Sequence, residues 1–205
     1  MKILITGGAG FIGSHLCDAL IERGHNLTVV DNLVLGRKEN ISHLLEKVGF
    51  EFIEEDLLHT EAMREIFKDR KFDMVYHLAA NSDIQKGGKD PQVDYDLTFN
   101  TTFHVLRYLK EFGIKKFFFA STSATYGETS DILNENYGPL CPVSNYGAGK
   151  LASEAFISAF SFAYHIQTWI TRFPNVVGER FTHGVIYDFI HKLRKNPAEL
   201  EVLGN

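Results

Sequence analysis

Short apolar runs alternate along this chain with longer stretches whose apolar positions recur at helical spacing. The opening run Ile3-Leu-Ile5 and the segments 27–31, 51–55, 73–78, 116–121 and 167–172 are bounded by polar or small residues, which predicts six strands. Between them, 14–23, 39–48, 60–68, 92–112 and 146–164 read as helices, with Thr60 placed to cap the third, and a further helix is predicted over 185–195. The Gly-, Lys- and Asp-rich stretch 85–91 reads as a mobile loop and 128–145 as a polar one. Strands alternating with helices call for an α/β architecture: a doubly wound parallel sheet joined by right-handed crossovers. No internal repeat or low-complexity linker interrupts the pattern.

The first strand breaks into Gly7-Gly-Ala-Gly-Phe-Ile-Gly13, and the first helical pattern begins near Phe11. Gly7, Gly10 and Gly13 stand three apart. That spacing lets the turn curl tightly, lets backbone amides approach a diphosphate, and brings the helix close against the strand. The helix also points its positive dipole end at the diphosphate. The second strand ends in Asp31, 18 residues past Gly13, where a Rossmann-type dinucleotide fold needs an acceptor for ribose hydroxyls. Ligands of an open parallel sheet collect beyond the carboxyl ends of its strands, so Asp56 and Leu57 fall where an adenine would be held. The alternative for Asp56 is a helix cap for the segment beginning near Leu57.

At 205 residues and 44% hydrophobic, the chain can bury one sizeable core. A net charge of -5 offers no basic field for nucleic acid, and no apolar run approaches the roughly 20 residues that span a membrane. The opening has no charged, apolar, cleavable leader, which argues for a cytoplasmic protein. Cys17 and Cys141 are too few for a disulfide framework or zinc site, and the histidines lack metal-ligand spacing, so no metal is expected. His77 reads as a packed strand-end residue.

Tyr146 and Lys150 are i and i+4, so a helix sets them on one face about a turn apart. Tyrosine loses its proton near pH 10 and is a poor base at neutrality, but a neighbouring ammonium favours the phenolate. Thr122, in the hydroxyl-rich Ser121-Thr-Ser-Ala-Thr-Tyr-Gly127 at the end of the fifth strand, can orient a substrate alcohol.

GGAGFIG at 7–13, Asp31, Asp56-Leu57, HLAA at 77–80, STSATYG at 121–127, YGAGK at 146–150 and RFPNVVG at 172–178 together resemble the extended short-chain dehydrogenase/reductase family, in its NAD-dependent epimerase/dehydratase branch. The resemblance covers essentially the whole chain. It implies Tyr146 as catalytic base and acid, Lys150 as its tuning partner and ribose contact, and Thr122 as the hydroxyl on the reacting sugar oxygen. It implies NAD over Gly7, Gly10, Phe11, Ile12 and Gly13, with Asp31 on the adenosine ribose, Asp56 and Leu57 by the adenine, and Leu78, Ala79 and Ala80 along the diphosphate and nicotinamide. Asn32 and Phe173 complete the implied cofactor set. Ser82 and Asn175 fall to the substrate, Asn175 matching a family asparagine that touches the nucleotide-sugar diphosphate. Thr98 and Thr101 depart from the family, which usually carries Asn and Gly there. Family members also run well beyond residue 205. The resemblance thus implies a dinucleotide-binding domain at 1–175 followed by the start of a substrate domain at 176–205, cut before the active-site rim is complete.

The first functional hypothesis is an NAD-dependent nucleotide-sugar 4-epimerase for a UDP-hexose such as UDP-glucose/UDP-galactose, an isomerase that oxidises carbon 4 transiently and regenerates its NAD. A nucleotide-sugar 4,6-dehydratase or decarboxylase is the alternative. It would want a carboxylate just after the threonine, where this chain has Ser123 and Ala124, with Glu128 only beyond Gly127. A non-catalytic NAD-binding module is the reading from another class, and the intact Tyr146, Lys150 and Thr122 speak against it. Helix 92–112 aligns Tyr95, Phe99, Phe103, Leu106 and Leu109 on one side, while Phe156, Ile157, Phe160, Phe162 and Ala163 wrap most of helix 146–164. A helix apolar all round is buried on more than one side. The two are therefore expected to pair with their symmetry mates in a homodimer, as the resemblance also implies.

Overall fold

The computed structural model describes residues 1–182 and 184–202. Strands β1 (Lys2–Thr6), β2 (Asn26–Asp31), β3 (Phe50–Glu54), β4 (Met74–His77), β5 (Lys116–Thr122) and β6 (Gln167–Phe173) form one parallel sheet in the order β3-β2-β1-β4-β5-β6. The strand order reverses between β1 and β4, and the crevice beyond their carboxyl ends is where such sheets bind ligands.

Both faces of the sheet are covered, which is why the inner strands are apolar without alternation. Leu4 of β1 joins a core with Phe67, Leu106, Phe117, Phe119 and Ile157. Its neighbours Ile3 and Ile5 point the other way, into a second core with Cys17, Leu20 and Val29. Helix α1 (Phe11–Glu22) covers the second core. The first core is covered by α2 (Thr60–Arg70), α5 (Thr101–Glu111) and α6 (Asn145–Tyr164).

Four segments differ from their sequence patterns. The helix expected at 39–48 is a 3₁₀ helix, Lys38–Leu44, in which only Ile41 and Leu44 are buried. Thr60 is the first helical residue of α2 rather than its cap, and His59 at the cap position makes no side-chain capping bond. The stretch expected as a loop forms α3 (Ile84–Lys89), because Asp83 accepts the Lys86 amide at 3.0 Å and a side chain at Gly87 would overlap the Asp94 carboxylate. The long helix at 92–112 runs as α4 (Pro91–Asp94), a π-helical turn Tyr95–Asn100, and α5. Thr101 and Thr102 donate back to the carbonyls of Leu97 and Thr98 at 3.0 and 2.8 Å, a pattern that distorts helices.

The chain divides into two compact units, Met1–Pro174 and Asn175–Asn205. The second contains α7 (Val185–Lys195), in which Tyr187 meets Phe181 edge-on and Lys192 donates to the Glu201 carbonyl at 2.8 Å. The last three residues of the stretch expected to open a substrate domain, 203–205, lie outside the described ones.

Candidate active site

The glycine turn is built by close backbone packing. Gly7, at φ +73°, donates to the Val30 carbonyl at 2.8 Å, and a Cβ there would meet the Ala79 nitrogen at 2.6 Å. At Gly13 a Cβ would lie 2.7 Å from Gly8 Cα and would overlap the Gly7 carbonyl oxygen. Gly10 is different. A Cβ there would meet only the Gly7 oxygen, at 3.2 Å, so its bare backbone faces open space at the start of α1. No side chain caps that helix and no acid lies in its first turn. Amides at a positive helix end suit a diphosphate, so the residues present fit a dinucleotide. Phe11 and Ile12 stand half-buried beside them.

Asp31, at the end of β2, accepts the Ala9 amide at 3.0 Å and the Leu33 amide at 2.9 Å. Burial pushes its carboxyl up, and the two amides pull it back down. It therefore braces the glycine turn as well as facing the rim. Asn32 donates to Asp56 at 2.9 Å, tying the ends of β2 and β3 together. Asp56 closes a local turn by accepting the Leu58 amide at 2.9 Å and caps no helix. The Leu57 side chain packs into the core. Beyond β4, Leu78 donates to the Thr6 carbonyl at 3.0 Å, Ala79 and Ala80 are half-buried, and Ser82 is exposed.

The residues expected to handle a proton sit where β5 meets α6. Three consecutive residues of β5 hold one face of the helix: Thr122 hydrogen-bonds Tyr146, the Ala120 carbonyl accepts Lys150 Nζ at 2.6 Å, and Ser121 donates to Glu154. Ser144 caps α6 by accepting the Gly147 amide at 3.1 Å. Lys150 is 2% exposed. Its ammonium lies 4.5 Å from the centre of the Phe119 ring and 5.9 Å from that of Tyr146.

Burial pulls Lys150 down to about 7, against the charge of Glu154, which pulls it up. Burial also pushes Tyr146 up; the Thr122 hydrogen bond opposes this and the Asp94 charge adds to it. The shift of Tyr146 follows from burial, Thr122 and Asp94, while the Lys150 ammonium is hydrogen-bonded to the Ala120 carbonyl. His77 is fully buried between Thr6 Oγ1 at 2.7 Å and Thr102 Oγ1 at 3.0 Å, and burial, with the Lys150 charge, pulls it down to about 3. It is a neutral packing residue.

Phe173 ends β6 in register with Thr122, whereas Asn175 opens the second unit and is described apart from this cluster. Thr98 is fully buried in the π-helical turn, and its hydroxyl has no partner among the described residues. Glu154, Arg172, Asn81 and Asp94 escaped the sequence reading. Glu154 had a signal, since it continues the Tyr146, Lys150 spacing by one more turn. Asn81 and Asp94, joined at 2.8 Å, had none.

A glycine turn at the switch point of a parallel sheet in this order defines a Rossmann-type dinucleotide-binding fold, here with a tyrosine and a lysine on the helix after β5. The chain belongs to the NAD dependent epimerase/dehydratase family, whose model matches residues 3–205. It is 33% identical over 178 residues to a UDP-glucose 4-epimerase of Lacticaseibacillus casei, covering 87% of this chain and 52% of that protein. Among solved structures, a UDP-galactose 4-epimerase is 40% identical with a TM-score of 0.86, covering 98% of this chain and 65% of that one. A UDP-glucuronic acid 4-epimerase from Bacillus cereus, in complex with UDP-glucuronic acid and NAD, is 33% identical with a TM-score of 0.87, covering 100% of this chain and 66% of that one. The chain thus spans between about half and two thirds of the length of these three relatives.

Proposed function

We propose that this chain is the catalytic and cofactor-binding part of an NAD-dependent nucleotide-sugar 4-epimerase acting on a UDP-hexose of the UDP-glucose/UDP-galactose type. The observation that carries the reading is Tyr146, hydrogen-bonded to Thr122 and one helical turn from buried Lys150, at the rim of a sheet whose glycine turn leaves the start of α1 open. The names of the relatives support the same reaction.

NAD would be held by the turn from Gly7 to Gly13, with Asp31 toward a ribose hydroxyl, and supplies reversible hydride acceptance. Tyr146 takes the proton of the 4-hydroxyl as the sugar is oxidised and returns it after the keto-sugar has turned over. Thr122 orients that oxygen. Lys150 sets the electrostatics of the pair and reaches toward a ribose. Ser82 and Asn175 are assigned to the nucleotide sugar on the family resemblance. The dehydratase and decarboxylase alternatives gain no support, since Ser123 and Ala124 sit in a 3₁₀ turn and Glu128 is exposed beyond Gly127.

The protein is read as a homodimer. Phe99, Phe103 and Phe156 stack edge-on between the π-helical turn, α5 and α6, with centroids 5.3 and 5.4 Å apart, yet Phe156 remains 41% exposed. An outward ring cluster of this kind suits a mate. No helix among the described residues is long and apolar enough to cross a membrane. A cytoplasmic location remains part of the reading.

The test is Tyr146→Phe in the full-length protein, assayed for conversion of UDP-galactose to UDP-glucose. Turnover should fall at least 100-fold, the lower end of what a lost general base costs, with NAD still bound. Retention of more than a few per cent of wild-type turnover overturns the role given to Tyr146.

A further inference from the structure

A buried cation must find counter-charge or give up its proton. Among the described residues, the carboxylate acting on Lys150 is Glu154, one turn further along the same face of α6. Glu154 is itself buried and gripped from two strands. Ser121 of β5 donates to its Oε1, and Arg172 of β6 donates through Nη2 at 2.7 Å and Nε at 3.1 and 3.2 Å. Ser121 and Arg172 are register partners across β5 and β6, so the grip is built into the sheet. The Arg172 guanidinium is pinned in turn, 4.8 Å over the Tyr126 ring. Helix α6 is therefore held by Ala120, Ser121, Thr122 and Arg172 along the face that carries Lys150.

We propose that Glu154, clamped by Ser121 and Arg172, is a positioning residue that supplies the counter-charge for Lys150 beside Tyr146. It acts through Lys150 and takes no proton from the sugar. The proposal rests on the reading of Tyr146 and Lys150 as the catalytic pair. The groups facing Lys150 are few: Tyr146 and Glu154 from α6, and His77 from β4, which burial keeps neutral. Arg172 of β6 acts through Glu154, and Asp94 of α4 acts on Tyr146. An ionised Glu154 favours the ammonium, so removing its charge lowers the Lys150 midpoint. Removing the Arg172 charge leaves the carboxylate less compensated and raises it.

The experiment follows the Lys150 side-chain carbon resonance against pH in full-length protein labelled with carbon-13 lysine, free of NAD and sugar, the resonance being assigned with Lys150→Met. Glu154→Gln should lower the midpoint by about one pH unit or more, Glu154→Asp should restore most of it, and Arg172→Gln should raise it. An unmoved midpoint in Glu154→Gln, whatever happens to thermal stability, makes Glu154 a structural clamp and overturns the proposal. Should Glu154→Gln fail to fold, Arg172→Gln decides, and an unmoved or lowered midpoint there overturns it. Absence of epimerase turnover in the wild type would strike at the functional reading alone, since the lysine titration needs neither cofactor nor substrate.

Discussion

Replacing Lys150 with methionine should stabilise the fold while removing a group assigned to the proposed site, and the gain should fade as pH rises. Lys150 is 2% exposed, and burial pulls it from 10.5 to about 7. Between those values the unfolded chain binds more protons at this side chain than the folded one, so stability rises with pH across the window and the full penalty is present below it. A depression from 10.5 to about 7, at 1.36 kcal/mol per unit, makes the buried ammonium cost about 5 kcal/mol below pH 7. Methionine keeps most of the length and none of the charge, but leaves the Ala120 carbonyl without its donor, a loss of about 1 kcal/mol. At pH 7, where half of the lysine is already neutral, Lys150→Met should be more stable by roughly 3 kcal/mol, and by pH 9 that advantage should have shrunk by roughly 2 kcal/mol.

Urea unfolding of both full-length proteins at pH 7 and pH 9, followed by circular dichroism, measures this directly. Every other titrating group is common to the pair, so the change in their difference isolates Lys150. A difference that stays flat between the two pH values, or a wild type more stable at both, would refute the reasoning.

The remaining predictions concern the turn, the cofactor and the assembly. Gly13→Ala drives a Cβ to 2.7 Å from Gly8 Cα and should cost on the order of 3 kcal/mol. Gly24→Ala, with nothing within 4 Å, carries only the strain of φ +75° and should cost about 1 kcal/mol; equal urea midpoints would contradict this. Asp31→Ala strips the acceptor from the Ala9 and Leu33 amides, so it should lower stability by about 2 kcal/mol and weaken NAD, narrowing the preference for it over NADP. An unchanged midpoint with an unchanged preference would defeat that. Phe156→Glu places charge at the outward ring cluster while sparing Phe160, which packs against the core, and should halve the mass seen by light scattering at micromolar concentration. An unchanged mass would place the interface elsewhere.

What the sequence made legible was local. The strands of the sheet centre read correctly because burial on both faces leaves an unbroken apolar run, as in Ile3-Leu-Ile5. The glycine turn read correctly because each constraint on Gly7 and Gly13 lies within a few residues or at the next strand end. Segment 39–48 misled because two buried positions, Ile41 and Leu44, hold only a 3₁₀ turn. Segment 85–91 misled because its order comes from Asp83 capping it and from Gly87 fitting against Asp94, a contact that composition cannot reveal. Spacing put Tyr146 and Lys150 on one face, but the aim of Lys150 is set by the Ala120 carbonyl, thirty residues away.

That aim bears on the chemistry. Burial moves Tyr146 up and Lys150 down, and both movements favour the same neutral pair, a phenol beside an amine. A general base at Tyr146 needs the opposite pair, a phenolate beside an ammonium. Two neighbours act in that direction: Thr122, whose hydrogen bond pulls Tyr146 down, and Glu154, whose charge pulls Lys150 up. Asp94 opposes them from the tyrosine side. An epimerase must both take a proton and give it back at one oxygen, and a buried tyrosine makes the return easy and the removal hard. On the proposed reaction, that removal would rest on Thr122 and Glu154 as well as on Tyr146 and Lys150. A chain with Tyr146 and Lys150 intact but without either neighbour would keep the sheet and the glycine turn, and would hold its tyrosine as a phenol.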